Sequence, residues 1–474
     1  MPPRMRAASL PALSSEVADA DLGDARLTQR LGLLIDSLAD RPGESFPKAL
    51  SDAELEGAYR FFGNAKVTPE AILAPHVRQT VLRATGRGDV LVVHDTTEFE
   101  FGGESKREGL GRLIRPGQGF FGHFALAVGA DGDREPLGLL NLETIFRHSK
   151  AIPRKRRRAK DNRGESARWR RSIDQAEQRL AGAVRAIHIM DREADSYATF
   201  SALNDAGRRF VIRSFQDRVL ADDETRLRAA AKSARRSFDR EVPLSRRPKI
   251  DGPKGERHPA RNYRVATLSF AAKAVEIPRT VDAKTAASPT LRLNIIYVWE
   301  RKPPPGEPPV EWFLLTNLPI STPAEIAYAV DCYRARWVIE LLFKEWKSYA
   351  NLHKFNTANE HIAAGLIWAS LCAAVLKRFL AHAAQLIGGK PISTRRVAMC
   401  AGHIIGELVV ALLACASIAD VFREGIAFLL ANARRANPRR DRKTGRLRSG
   451  LLVVGAEYSL ETGAVEFFDG LSRP

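Results

Sequence analysis

Apolar positions recur every three or four residues from Ala25 to Leu38 and again from Asp52 to Phe62, the spacing of two amphipathic helices, with Gly43, Pro47, Gly63 and Pro69 as punctuation. From Asp89 the pattern changes to strands. Val90 to Val93 is a continuous apolar run ending in His94 and Asp95, and Gly122 to Val128 and Leu137 to Ile145 follow with turn residues between them. A helical pattern over Glu165 to Leu180 leads to a second apolar run, Ala186 to Met190, which stops at Asp191; a further helix and the strand Arg209 to Arg213 close the block. Strands alternating with helices predict an α/β core.

Residues 216 to 310 break this rhythm: strand-like stretches at Arg264 to Phe270 and Leu291 to Trp299 are separated by long polar connections and end in a Pro303 to Pro309 cluster. This reads as a β-rich insertion. A helical pattern resumes at Pro323 and runs through Tyr349, and an Ala-rich apolar stretch from Ile362 to Leu430 reads as a helical bundle. At 474 residues the chain exceeds one core, and three units fit the pattern. They are a helical module over residues 1–85, an α/β core with a mixed sheet over 86–360, and a helical region over 361–474.

Charge narrows the function. The 74 Lys and Arg exceed the 55 Asp and Glu by a formal +19, which points to a polyanion, either nucleic acid or an anionic membrane surface. The first residues lack the apolar run of a secretory signal, and no uncharged apolar run approaches a membrane span. The nearest candidates, Ile362 to Leu376 and a stretch from Gly402 interrupted by Glu407, read as buried helices. Cys332, Cys372, Cys400 and Cys415 form no C-x-x-C pair, so neither a zinc knuckle nor a disulfide framework is indicated, and a reducing cytoplasm is expected. Two basic runs, Arg147 to Arg171 and Arg434 to Arg448, read alone as solvated surface; the overall charge shifts them toward nucleic-acid contact. The N-terminal module adds Arg26, Arg30 and Arg60 on one face.

Asp95 and Asp191 each follow a run suited to a fully buried strand, so each is expected at the carboxyl end of a central strand, where open α/β sheets build their sites. Taken singly, either reads as a helix cap or turn residue. On neighbouring strands, however, the two carboxylates face each other and repel unless cations lie between them. The third element is the helix carrying Tyr333, Arg336, Glu340, Lys344 and Lys347, which at about 100° per residue fall within roughly 80° of one another. Val338, Leu342 and Trp346 fall opposite and can pack on the core. Ion pairs on an exposed helix would account for the charges but not for the tyrosine. Phosphodiester chemistry accounts for the set. Two divalent ions roughly 4 Å apart, held by three carboxylates, can activate an attacking oxygen and stabilise a leaving one. Oxygen-only ligands select Mg²⁺ or Mn²⁺, and Arg336, Lys344 and Lys347 then hold phosphates.

These residues resemble the bacterial insertion-sequence transposases that have an RNase H-like core, a DDE triad and a Y-R-E-K signature. Tyr333, Arg336, Glu340 and Lys347 match that signature at every spacing. The resemblance extends to Asp191-Arg192-Glu193-Ala194-Asp195, to His94-Asp95-Thr96-Thr97, and to Leu22-Gly23-Asp24-Ala25-Arg26 and Glu56-Gly57-Ala58-Tyr59-Arg60-Phe61, covering most of residues 20 to 350. It implies Asp95, Asp191 and Glu340 as catalytic metal ligands for two Mg²⁺ ions per site, with Mn²⁺ able to substitute. It implies an N-terminal domain that binds terminal inverted repeats, a C-terminal dimerisation region, a homodimer in a synaptic complex, and a cytoplasmic, nucleoid-associated protein with no membrane partner. The implied mechanism is cut-and-paste. Nicking exposes a 3′-hydroxyl, which attacks the opposite strand to form a hairpin, and after hairpin opening the ends join target DNA. The family stacks a flipped base on an aromatic side chain, and Trp312 stands at that place, with a core tryptophan as the alternative. Tyr333, Arg336 and Lys347 would grip the surrounding phosphates, while His94 is expected to shape the strand end rather than bind metal. Two other classes stay open: an inactive or domesticated transposon-derived DNA-binding protein, and an RNase H-like nuclease, which has no need of Tyr333 or Trp312.

Overall fold

The computed structural model describes residues 13–349 apart from 41–45, 102–109, 115–116, 131–133, 148–166, 223, 245–249, 252–256, 259, 284–287 and 308, and beyond them only 456–458 and 465–467. Most of the first basic run, all of the second, and the stretch Ile362 to Leu430 lie outside the described residues.

The N-terminal pattern folds as expected in kind. A 3-10 turn, Leu13–Val17, precedes α1 (Ala25–Asp40), α2 (Phe46–Ala49) and α3 (Asp52–Phe62). Ser51 and Glu54 close a reciprocal capping box that starts α3. Pro69, read as a breaker, instead opens a fourth helix, α4 (Pro69–Ala84), because Thr68 caps it and a proline in the first turn has no intrahelical N–H to lose. The module and the sheet share one hydrophobic core, which runs from Leu31, Leu34, Phe61 and Phe62 to Leu91 and Phe124. A buried polar latch adds to it. Glu16 accepts from Arg83 and from Nδ1 of His76 (2.7 Å), whose Nε2 accepts the Leu139 N–H (2.8 Å), while Arg83 Nε donates to the Leu137 carbonyl. Between those two strand residues, Gly138 has φ +139° and lets α4 approach; a Cβ there would lie 2.1 Å from the Thr80 hydroxyl.

The strands are β1 (Asp89–Phe101), β2 (Gly111–Arg112), β3 (Gln118–Gly129), β4 (Pro136–Ile145), β5 (Arg185–Met190), β6 (Arg209–Arg213) and β7 (Arg236–Leu244). A separate pair, β8 (Ile250–Asp251) and β9 (Arg257–His258), is followed by β10 (Arg264–Pro278), β11 (Thr290–Glu300) and β12 (Glu311–Thr316). Ten of them form one mixed sheet in the order β2-β3-β1-β5-β6-β12-β11-β10-β7, with β4 also on β3. Within it β4, β3 and β1 are antiparallel neighbours and β5 and β6 run parallel to β1, consistent with the expected RNase H-like core. The segment 216–310 does not fold as a separate β unit: β12 pairs with β6, and β11, β10 and β7 extend the same sheet outward.

Helices α5 (Ala167–Leu180), α6 (Tyr197–Asp205) and α7 (Leu227–Lys232) cover one face, and α8 (Pro323–Arg334) and α9 (Trp337–Tyr349) the other. Phe343 of α9 packs on Phe124 of β3 at 5.1 Å between ring centroids, and burying such a phenyl stabilises by roughly 1.5–3 kcal/mol, which holds the helix against the sheet. In the C-terminal region expected to be helical, the described residues are instead two strands, β13 (Ala456–Tyr458) and β14 (Val465–Phe467), paired antiparallel.

Candidate active site

Strand alternation decides which side chains share a face. Leu91, Val93 and Phe99 of β1 and Ile187 and Ile189 of β5 point into the core under α8 and α9, so Asp95 and Asp191, at the same parity, point that way too. The parallel register pairs Val93 with Ile189, and two residues further along stand Asp95 and Asp191, on strands about 4.8 Å apart. Asp191 follows the last residue of β5 and caps a 3-10 turn, its Oδ1 accepting the Glu193 N–H at 2.8 Å. Asp95 does not end its strand. β3 continues as an antiparallel partner to Phe101, so Asp95 lies mid-strand, just past the stretch where β5 accompanies it.

Helix α9 brings Glu340 to the same place. Arg336 donates from Nη1 to Asp95 Oδ2 (2.8 Å) and from Nη2 to Glu340 Oε1 (3.1 Å), so one guanidinium bridges both carboxylates. Burial drives the Asp95 carboxyl up to about 7; Arg336 opposes the rise, and the nearby charges of Asp191 and Glu340 reinforce it.

The helix expected to be continuous from Pro323 to Tyr349 is broken. Arg336, Val338 and Ile339 donate their N–H groups to carbonyls three residues back, a tightened turn that separates α8 from α9. Tyr333 therefore leaves the exposed stripe and is buried at 5% exposure, close to Arg213 and meeting Trp312 edge to face at 5.7 Å. Trp312, at the start of β12, is half-buried and packs against this core. Lys344 is exposed, and Lys347 stands within the field of Glu98, Glu340 and Asp95. His94, fully buried, points to the opposite face, its ring nitrogens bonded to Ser172 and His188. Among the N-terminal arginines, Arg26 is paired with Asp24 and Arg60 with Glu56, both on the surface, and Arg30 lies against Gly57.

The sequence reading passed over Trp337, which begins α9 with its indole 60% exposed, one residue after Arg336 and three before Glu340. It also left Asp195 without a role. That carboxylate is buried, pairs with Arg218 at 2.7 Å and accepts the Phe215 and Gln216 amides, so it ties the turn carrying Asp191 to the segment after β6. A buried carboxylate needs such partners, which is the signal the second aspartate of Asp191-Arg-Glu-Ala-Asp195 carried.

The three candidate carboxylates offer only oxygen donors, a set suited to Mg²⁺ or Mn²⁺. Among the described residues, no group of three acidic, His or Cys side chains is close enough to hold an ion. Arg336 bridges two of the three candidate ligands, and ligation requires it to let go.

Among solved structures, the cryo-EM structure of the piggyBac transposase synaptic complex with hairpin DNA is similar at 12% identity and a TM-score of 0.38, over 82% of this chain and 76% of that one. The family described as Transposase DNA-binding matches residues 10–67. That described as Transposase DDE domain, whose members generally use divalent metal ions, matches residues 87–376, more than half of the chain. The chain therefore belongs to the DDE transposase family, as a DNA transposase with its own DNA-binding region.

Proposed function

We propose that this transposase moves an insertion sequence by cut-and-paste, nicking DNA at the element's ends, forming a hairpin on each end and joining the freed ends to target DNA. The observation that supports the reading is that Arg336 bridges Asp95 and Glu340 on the face of the sheet toward which Asp191 also points, where burial, reinforced by the charges of Asp191 and Glu340, raises the Asp95 carboxyl to about 7. These three carboxylates would hold two Mg²⁺ ions, or Mn²⁺ in their place. Bound there, the ions would supply the Lewis acidity that phosphodiester cleavage and transfer require.

The chain's own side chains do the rest. Arg336, Lys344 and Lys347 would present cations to the phosphates beside the carboxylates, and Tyr333, buried against Trp312, supports the helix turn that aims Arg336. Trp312, which meets Tyr333, and the exposed Trp337 at the start of α9 would receive an unstacked base. Residues 1–85, with Arg26, Arg30 and Arg60, would bind the terminal inverted repeats; the match over 10–67 supports this. Residues 86–360, with their 216–310 addition, form the catalytic unit in this reading, and 361–474 the contact of a homodimer that synapses two ends. The protein would act in the cytoplasm, at the nucleoid.

The test is cleavage of DNA fragments spanning both ends of the element, in Mg²⁺ or EDTA, by the full-length protein and by Glu340→Ala. Mg²⁺-dependent cuts at one repeated end sequence, with hairpin intermediates and none from the variant, are expected. Free ends with neither hairpin nor joining would select a nuclease, and binding without cutting an inactive DNA-binding protein.

A further inference from the structure

The β1–β5 ladder stops at Val93 and Ile189, so no registered pair of these strands fixes the separation of Asp95 and Asp191 two residues beyond. Each carboxylate accepts from a neighbouring amide, Asp95 Oδ1 from Thr96 N and Asp191 Oδ1 from Glu193 N, both at 2.8 Å, and Asp95 Oδ2 accepts from Arg336 as well. These two neighbours are joined by a single side chain. Arg168, in the first turn of α5, donates from Nε to Thr96 Oγ1 (3.2 Å) and from Nη2 to Glu193 Oε2 (2.7 Å). Because Thr96 accepts from Arg168, its hydroxyl proton is free to go to His123 Nδ1 at 2.8 Å, and His123 meets Trp169 edge to face at 4.7 Å. The basic run to which Arg168 belongs reads as a DNA-contacting surface, yet its guanidinium is turned inward at 12% exposure.

We infer that Arg168 is a positioning residue that clamps the two aspartate-bearing segments to each other, through Thr96 and Glu193, and so limits how far Asp95 and Asp191 can separate when they take up metal. The inference rests on the proposed reading of Asp95 and Asp191 as metal ligands. Arginine suits the task because its planar fork reaches two acceptors at once, whereas a lysine carries the same charge on one point.

The test is Mn²⁺ binding to the full-length, DNA-free protein, followed by electron paramagnetic resonance, alongside end-DNA affinity and thermal midpoint. Partners that orient metal ligands are worth about 10–100-fold in metal affinity. Arg168→Met is expected to weaken Mn²⁺ binding about 10-fold, and Arg168→Lys to fail to restore it. Glu193→Gln, on a side chain 61% exposed and so harmless to folding, should weaken it several-fold. The double variant Arg168→Met/Glu193→Gln should be no worse than Arg168→Met alone. Unchanged Mn²⁺ affinity in Glu193→Gln, or full recovery in Arg168→Lys, would overturn the clamp. Asp95→Asn and Asp191→Asn separate the two levels. If neither alters Mn²⁺ binding, the reading of the carboxylates fails; if both do and the Arg168 and Glu193 variants do not, only the clamp fails.

Discussion

Replacing Asp95 by asparagine should stabilise the metal-free protein while abolishing its chemistry. Asp95 is displaced from 3.8 to about 7 by burial and by the charges of Asp191 and Glu340, a value that already includes the help of Arg336. Keeping it ionised in the folded state then costs on the order of 4 kcal/mol at pH 8. The folded pKa lies above the unfolded one, so this group's contribution is fully present below about pH 4 and is lost as pH rises through about 7. At pH 5 the penalty falls to less than about half of that. The Asp95→Asn change removes the charge and keeps the shape, though an amide is a poorer partner for Arg336, so a gain of roughly 2–4 kcal/mol is expected at pH 8, shrinking by more than half at pH 5. Urea denaturation in EDTA at both pH values measures it, and saturating Mn²⁺ should favour the wild type again through mass action. A variant no more stable than the wild type at pH 8, or a gain independent of pH, would refute the reasoning.

Four further outcomes follow from the same geometry. Asp191→Ala and Glu340→Ala should each abolish strand cleavage while leaving end binding within a few-fold in gel-shift titrations, since ligation and phosphate contacts are separable; equal loss of binding in both would contradict the assignment. Trp337→Ala, on a side chain 60% exposed, should change stability by no more than about 0.5 kcal/mol yet weaken hairpin formation by the roughly 1–3 kcal/mol of a lost stacking contact. Trp312→Ala should spare the first nick, lower the hairpin yield and, by undercutting Tyr333, also lower the thermal midpoint; an unchanged yield removes it from the site. Asp195→Ala strands a buried Arg218 and is expected to destabilise by about 3–5 kcal/mol in urea melts, with no separate defect in surviving folded protein.

What the sequence disclosed depended on whether burial was local. Val90 to Val93 is apolar on both faces, and Ala186 to Met190 is so except at the buried His188, because each strand lies between two helical layers, and their carboxyl ends pointed to Asp95 and Asp191. The extent of β1 was hidden, because β3, its partner beyond Val93, is a long-range neighbour. The break at Ala335–Arg336 was hidden for another reason: Val330, Val338, Ile339 and Leu342 keep a helical apolar spacing through the tightened turn, so periodicity alone shows one helix. β7 was missed because an edge strand such as Arg236-Ser-Phe-Asp-Arg-Glu-Val-Pro-Leu is exposed along most of its length and carries little apolar signal. At the site, the Arg336–Glu340 pair follows from its spacing of four, whereas the bond from Arg336 to Asp95 joins residues 241 apart. The Arg168 clamp likewise depends on where α5 lies over the sheet, which no local pattern records.

The most direct test of the central claim is anomalous diffraction from crystals of the protein with its terminal repeat DNA and Mn²⁺. Two Mn²⁺ peaks contacted by Asp95, Asp191 and Glu340, with Arg336 released from its bridge, are predicted. Peaks elsewhere, or an intact Asp95–Arg336–Glu340 bridge with Mn²⁺ and DNA both bound, would contradict it.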